Sequence, residues 1–270
     1  MKTIAGSSPA RRRDGWRAGR LVGQLVLGLG LVLHGCDRSP TPSSPRGSPV
    51  PMTAEVATHL IPLPQTDQRL CTAVVVLVDT SGSMNEAVAD RQGAQRPKYL
   101  IARDALKEIV DYTDQWEKSH ADRILEMGLF NFSSSASPVL PMGRFDAAKT
   151  EKALQTIPRP GGGTAIGEAV EAGFEALYQS GCVRKYLICV TDGENTAGRP
   201  PAQVSRQLYA QTQGEVEMHF IAFDTSGDKF GFLSEVNGYT TEAADGAQLR
   251  ARLTDIYEKR ILAEAPAEKE

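Results

Sequence analysis

Three short stretches carry side chains suited to holding a hard cation. The first is Asp79-Thr80-Ser81-Gly82-Ser83, which ends the apolar run VVVLV at 74–78 with one carboxylate and two hydroxyls spaced two apart. A buried strand needs only turn residues where it leaves the core, whereas a carboxylate followed by alternate hydroxyls is a set of hard oxygen ligands. The second stretch, Thr191-Asp192-Gly193-Glu194-Asn195, also follows an apolar run and supplies another carboxylate. The third, RPGGGTAIGEA at 159–169, ends a glycine-rich loop with Thr164 where a helix begins, a place that presents a hydroxyl at a helix N-terminus.

The elements around these stretches alternate between strand and helix. Continuous apolar, β-branched runs at 71–79, 124–132, 185–192 and 216–224 read as buried strands. Residues 135–142 read as a short edge strand, because Pro138 and Pro141 would break a central ladder, and a weak strand is expected near 238–243. Helical spacing of Leu100, Ile101, Ala105, Ile109 and Tyr112, with Pro97 in the first turn, predicts a helix over 97–118. Further helices are expected at 146–156, 164–180, from Pro200-Pro201 onward, 229–236 and 245–262. Trp116 and Tyr112 on the first helix, and Leu249, Leu253, Ile256 and Tyr257 on the last, read as packing residues. The alternation predicts an α/β fold: a Rossmann-like doubly wound, mostly parallel sheet with one antiparallel edge strand and helices on both faces. Such sheets bind ligands beyond the carboxyl ends of their strands, where strand order reverses. Asp79 and Asp192 would converge there.

Asp79-x-Ser81-x-Ser83, Thr164 in GGGT and Asp192 in TDG, in that order, resemble the metal-ion-dependent adhesion site of von Willebrand factor A (vWA) domains. The resemblance spans about 69–262. It implies that Ser81, Ser83 and Thr164 ligate a divalent ion, while Asp79 and Asp192 act on the ion directly or through water, supplying charge and orienting the ligands. Mg2+ is the implied ion, with Mn2+ or Ca2+ as substitutes. The implied partner is a protein whose acidic residue completes the coordination sphere.

Other readings leave more unexplained. Asp79 and the serines could merely cap a turn, which accounts for one stretch and leaves two coincidences. No Gly-Lys-Ser or Gly-Lys-Thr follows the glycine-rich loop, against a nucleotide P-loop. A second DTSG, Asp224 to Gly227, reads as a plain loop, with a contribution of polar groups to the rim of the site as the alternative. A metal-dependent hydrolase would need a base or nucleophile, and His34, His59, His120 and His219 all lie outside the three stretches. GxSxG, HExxH and CxxC are absent. A non-enzymatic binding module is the expectation, with a metal-dependent hydrolase and a structural envelope protein bearing a vestigial site as alternatives.

The 270 residues carry a net charge of −3, and the clustered arginines 11, 12, 13, 17 and 20 lie near the start, so no nucleic-acid partner is expected. Those arginines precede the apolar run LVGQLVLGLGLVL at 21–33, which at about 1.5 Å per residue is too short to span a bilayer core of about 30 Å. It reads as the core of an export signal. Leu33-His34-Gly35-Cys36 resembles a bacterial lipobox, with His34 where a small residue is usual; this implies lipidation of Cys36. Asp37 resembles an inner-membrane retention signal, with the outer membrane as the other destination. The expected organisation is a signal at 1–36, a Pro/Ser-rich linker at 37–68, a vWA domain at 69–262 and a polar tail at 263–270. Cys71 and Cys182 should fall at the amino-terminal edge of neighbouring strands, where an oxidising envelope permits a disulfide. Three reduced cysteines are the alternative, because a bridge needs Cα atoms about 4.4–6.8 Å apart.

Overall fold

A computed structural model describes residues 62–263. The expected signal at 1–36, with His34 and Cys36, most of the expected linker, with His59, and nearly all of the expected tail lie outside the described residues.

The central strand β1 (Arg69–Asp79) is buried on both faces from Ala73 onward. Because successive strand side chains point to opposite sides, Val74, Val76 and Val78 enter one apolar layer and Ala73, Val75 and Leu77 the other. An unbroken apolar run is therefore what a doubly covered strand requires. A 3-10 turn (Gly82–Asn85) follows, then a small hairpin of β2 (Ala87–Ala89) and β3 (Gln95–Pro97), and then α1 (Lys98–Ser119). Next come β4 (Leu125–Phe132), β5 (Ala136–Arg144), α2 (Ala147–Gln155), α3 (Ile166–Ser180) and β6 (Cys182–Thr191). The chain continues through α4 (Pro201–Thr212), β7 (Val216–Phe223), a 3-10 segment (Gly227–Glu235), β8 (Gly238–Ala243) and α5 (Gly246–Ile256), which runs into a π-helical turn (Tyr257–Ile261).

The main sheet has the order β5-β4-β1-β6-β7-β8. Every pairing in it is parallel except β4 with β5. The expected fold class is thus observed. α1, α2 and α5 bury Leu106, Ile109, Leu154, Leu249 and Leu253 against one face, while α3 and α4 bury Val170, Phe174, Val204 and Leu208 against the other. α3 lies very close to the sheet at Gly173, where a Cβ would stand 2.8 Å from Leu187 Cδ1.

Three details differ from the sequence expectation. β5 is the expected edge strand but runs to Arg144, two residues further than expected, and its register with β4 shifts twice; the shifts and the edge position absorb Pro138 and Pro141. The hairpin at 87–97 and the 3-10 turn before it have no hydrophobic periodicity to reveal them. α3 begins at Ile166, so Thr164 lies just outside the helix and Ala165 occupies the cap position.

Strand order reverses between β1 and β6. Their carboxyl ends, Asp79 and Thr191-Asp192, therefore share one crevice. At the opposite edge, Cys71 and Cys182 form a disulfide with a Cα–Cα distance of 4.8 Å, and Cys189 remains a buried thiol. Glu126 lies close to the two sulfurs. Because the sulfurs are bonded to each other, the group offers no thiolate ligand.

Candidate metal centre

The crevice is assembled from backbone ties before any side chain is aimed. The loop after β1 is held to β4 by Thr80, whose amide and Oγ1 both donate to Phe132 O at 2.7 and 3.0 Å. Met84, fully buried, anchors the 3-10 turn in the apolar layer beneath. The glycine-rich loop is laced to this turn by Gly161 N–H donating to Thr80 O at 2.8 Å and Gly82 N–H donating to Gly162 O at 3.2 Å. Gly162 adopts φ +83°, and a Cβ there would meet Ser134 Oγ at 2.8 Å, so the approach requires glycine.

Within this frame the candidate oxygens converge. Asp79, with no exposed surface, accepts from Ser81 N–H through Oδ1 at 2.7 Å and from Thr191 Oγ1 through Oδ2 at 2.6 Å. Ser81 Oγ and Ser83 Oγ are 3.2 Å apart. Ser83 Oγ donates to Asp192 Oδ1 at 2.8 Å. Thr164 is 4% exposed, and among the described residues its Oγ1 has no hydrogen-bond partner. Thr164 Oγ1 and Ser83 Oγ lie 3.8 and 4.0 Å from the position a Cβ at residue 193 would take, so Gly193 leaves the space between them open. Asp79, Ser81, Ser83, Thr164 and Asp192 are thereby gathered from three segments.

Four further residues complete the surroundings, and for three of them, Lys98, Glu86 and Asn195, the sequence does not reveal the part they play. Lys98, the first residue of α1, is 3% exposed and points its ammonium at Asp192 Oδ2 (3.0 Å), Asp224 Oδ2 (3.0 Å) and Glu86 Oε2 (3.2 Å). Burial alone would push this ammonium down, but hydrogen bonds to Asp224 and Asp192, the charge of Asp192 and a hydrogen bond to Glu86 hold it above the usual lysine range. A lysine opposes the dipole at a helix start, and α1 has no acidic residue in its first turn; that mismatch was the available signal. Asp224, from the second DTSG, belongs to this cluster and adopts φ +53°. Asn195 Oδ1 accepts from Ile166 N–H at 2.8 Å, so the TDGEN segment caps α3 in place of any local side chain.

The electrostatics fit a cation. Burial pushes the Asp79 carboxyl up to about 6; hydrogen bonds from Thr191 and Ser81 oppose this, and the neighbouring Asp192 charge adds to it. Two buried carboxylates, two adjacent serine hydroxyls and an unpartnered threonine hydroxyl form an all-oxygen donor set suited to Mg2+. Neither described histidine joins it. His219 contacts Glu217 at 2.7 Å and stacks on Tyr239, and His120 stacks on Trp116.

Residues 73–252 match the family model of the von Willebrand factor type A domain. No curated protein sequence matches the chain. Among solved structures, the chain is similar to the D319A mutant of the PilB minor pilin from Streptococcus sanguinis (TM-score 0.57, 13% identity, covering 73% of this chain and 63% of that one). It is also similar to a von Willebrand factor type A protein from Catenulispora acidiphila (TM-score 0.55, 17% identity, 69% and 42% covered). A third is proximal thread matrix protein 1 from the mussel byssus, with a zinc-occupied MIDAS motif (TM-score 0.52, 22% identity, 70% and 47% covered). The chain spans less than two thirds of each of these proteins, and at such identities the likeness is one of fold.

Proposed function

This chain belongs to the von Willebrand factor type A domain family, and from that premise we propose that it is a non-enzymatic module that binds an acidic residue of a protein partner through Mg2+. The observation that carries the reading is the convergence of Ser81, Ser83, Thr164, Asp79 and Asp192 from three segments at the switch point. The zinc-occupied motif of the mussel byssus protein supports metal binding on this fold.

Ser81, Ser83 and Thr164 would hold the ion. By accepting the Ser83 hydrogen bond, Asp192 turns that hydroxyl's proton inward and leaves its lone pairs for a cation. Asp79 fixes the Ser81 backbone and supplies charge from beneath. When bound, the divalent ion supplies a Lewis-acidic position that a partner's carboxylate can complete. Among the described residues, His219 and His120 make their contacts elsewhere and not beside the donors, which favours binding over hydrolysis.

Titrating the full chain with Mg2+ and with Mn2+ should show saturable binding that EDTA reverses. Thr164→Val should weaken it about tenfold while leaving the fold intact. An absence of saturable Mn2+ binding would sink the proposal.

The proposal extends to place. Lipid attachment at Cys36, with 37–68 as a tether, would hold the domain at the bacterial envelope, on the periplasmic face of the inner membrane if Asp37 acts as a retention signal and at the outer membrane otherwise. The Cys71–Cys182 disulfide suits that oxidising compartment. Cys36→Ser should move the protein from the membrane to the soluble fraction, and continued lipid labelling of that variant would contradict the assignment.

A further inference from the structure

Among the described residues, the buried ammonium of Lys98 is the one cation inside the candidate centre, and its position implies more than support. We infer that Lys98 is a fixed counter-charge that weakens the site's hold on its divalent ion and keeps the loaded site positive toward a carboxylate. The inference rests on the metal-binding reading above.

Three observations lead to it. The ammonium lies 3.0–3.2 Å from carboxylate oxygens of Asp192, Asp224 and Glu86, each from a different segment, so the group is fixed in place. Asp192 is committed on both oxygens, Oδ2 to Lys98 and Oδ1 to Ser83, so it cannot turn toward a cation without breaking one of them. The Asp192 and Lys98 side chains are 0% and 4% exposed, so water screens their interaction poorly, whereas Glu86 and Asp224 at 69% and 42% reach water and are better screened.

Charge counting then gives the consequence. Asp79 and Asp192 with Lys98 leave one net negative charge in the buried core of the site. A divalent ion makes that core singly positive, which attracts an acidic side chain. Without the lysine the same core would hold the ion more tightly and end neutral. Lys98 thus trades metal affinity for attraction to the partner.

The direction of the effect separates this role from a scaffolding one. A lysine that merely holds Asp192 in place predicts weaker metal binding when it is removed; a repelling counter-charge predicts tighter binding. Full-chain wild type, Lys98→Gln, Lys98→Met and Lys98→Arg are titrated with Mn2+ alone, with near-ultraviolet circular dichroism as the check of folding. The neutral variants should bind Mn2+ about tenfold or more tightly, and Lys98→Arg should stay near wild type. Equal or weaker affinity in a folded neutral variant overturns the inference. So does failure of both neutral variants to fold in saturating Mn2+, since the ion should replace the missing positive charge. No Mn2+ binding by wild type and variants alike overturns the metal reading itself, and this inference with it.

Discussion

Replacing Cys71 and Cys182 together with alanine lowers the stability of the domain by about 4–5 kcal/mol and its Tm by roughly 10–15 °C. The bridge joins residues 111 apart in sequence, so it closes a loop holding most of the domain in the unfolded chain, and its removal returns that chain's freedom. Both sulfurs are buried, and alanine leaves no unpaired hydroxyl there, which makes it a cleaner replacement than serine. The bridged strands β1 and β6 are already paired through backbone hydrogen bonds. The native structure should therefore survive, and the loss should fall on its balance with the unfolded state. Calorimetry of wild type and double variant under non-reducing conditions measures the difference. A loss under about 1 kcal/mol would mean that the bridge does not form in solution or that the unfolded chain stays compact.

Much of the fold could be read because the physics is local. VVVLV at 74–78 can be apolar at every position only if both faces of its strand are covered, and Leu100, Ile101, Ala105 and Ile109 mark one face of a helix by spacing alone. Pro138 and Pro141 mark β5 as an edge strand, because proline penalises a central ladder, but nothing in the sequence shows the register shifts that let the strand run on to Arg144. The hairpin at 87–97 carries no periodic signal. The motif residues of the candidate centre stand out in sequence because they lie at or just beyond the ends of apolar strands or just before a helix, places where the chemistry of the residue type shows. Lys98 and Glu86 do not stand out, and Asp224 shows only as the start of a second DTSG. Each is an ordinary surface residue type, and they meet only because β1, β6 and β7 end side by side; Lys98 and Asp192 are 94 positions apart. Asn195 is hidden for the same reason, since the helix it caps lies 29 positions earlier. Sequence shows which residues could act, and topology decides which charges balance them.

Asp79→Asn should abolish divalent-ion binding, by at least about a hundredfold, and at the same time stabilise the metal-free protein. The two effects have one cause. Asparagine keeps the oxygen that accepts from Ser81 N–H, and Thr191 can reverse its hydrogen bond to accept from the new amide, so the turn is retained while the charge is lost. That charge is costly without a cation: its carboxyl is raised from the ordinary 3.8 to about 6, chiefly by burial. Between those values the folded state holds a proton that the unfolded state has released, so Asp79 makes its full contribution below about 4, and that contribution is lost as the pH rises through about 6. At pH 7 the deficit is about 3 kcal/mol, and asparagine removes it. In EDTA the variant should therefore melt several degrees above wild type at pH 7 and approach it near pH 4. Taking the difference between the two proteins cancels the titration of the remaining carboxylates and of His219. Saturating Mn2+ should reverse the order, raising the Tm of wild type and leaving the variant unmoved. A variant that binds Mn2+ as wild type does would remove Asp79 from the site. One that is less stable than wild type at pH 7 in EDTA would show that the carboxylate holds the turn together by more than its hydrogen bonds.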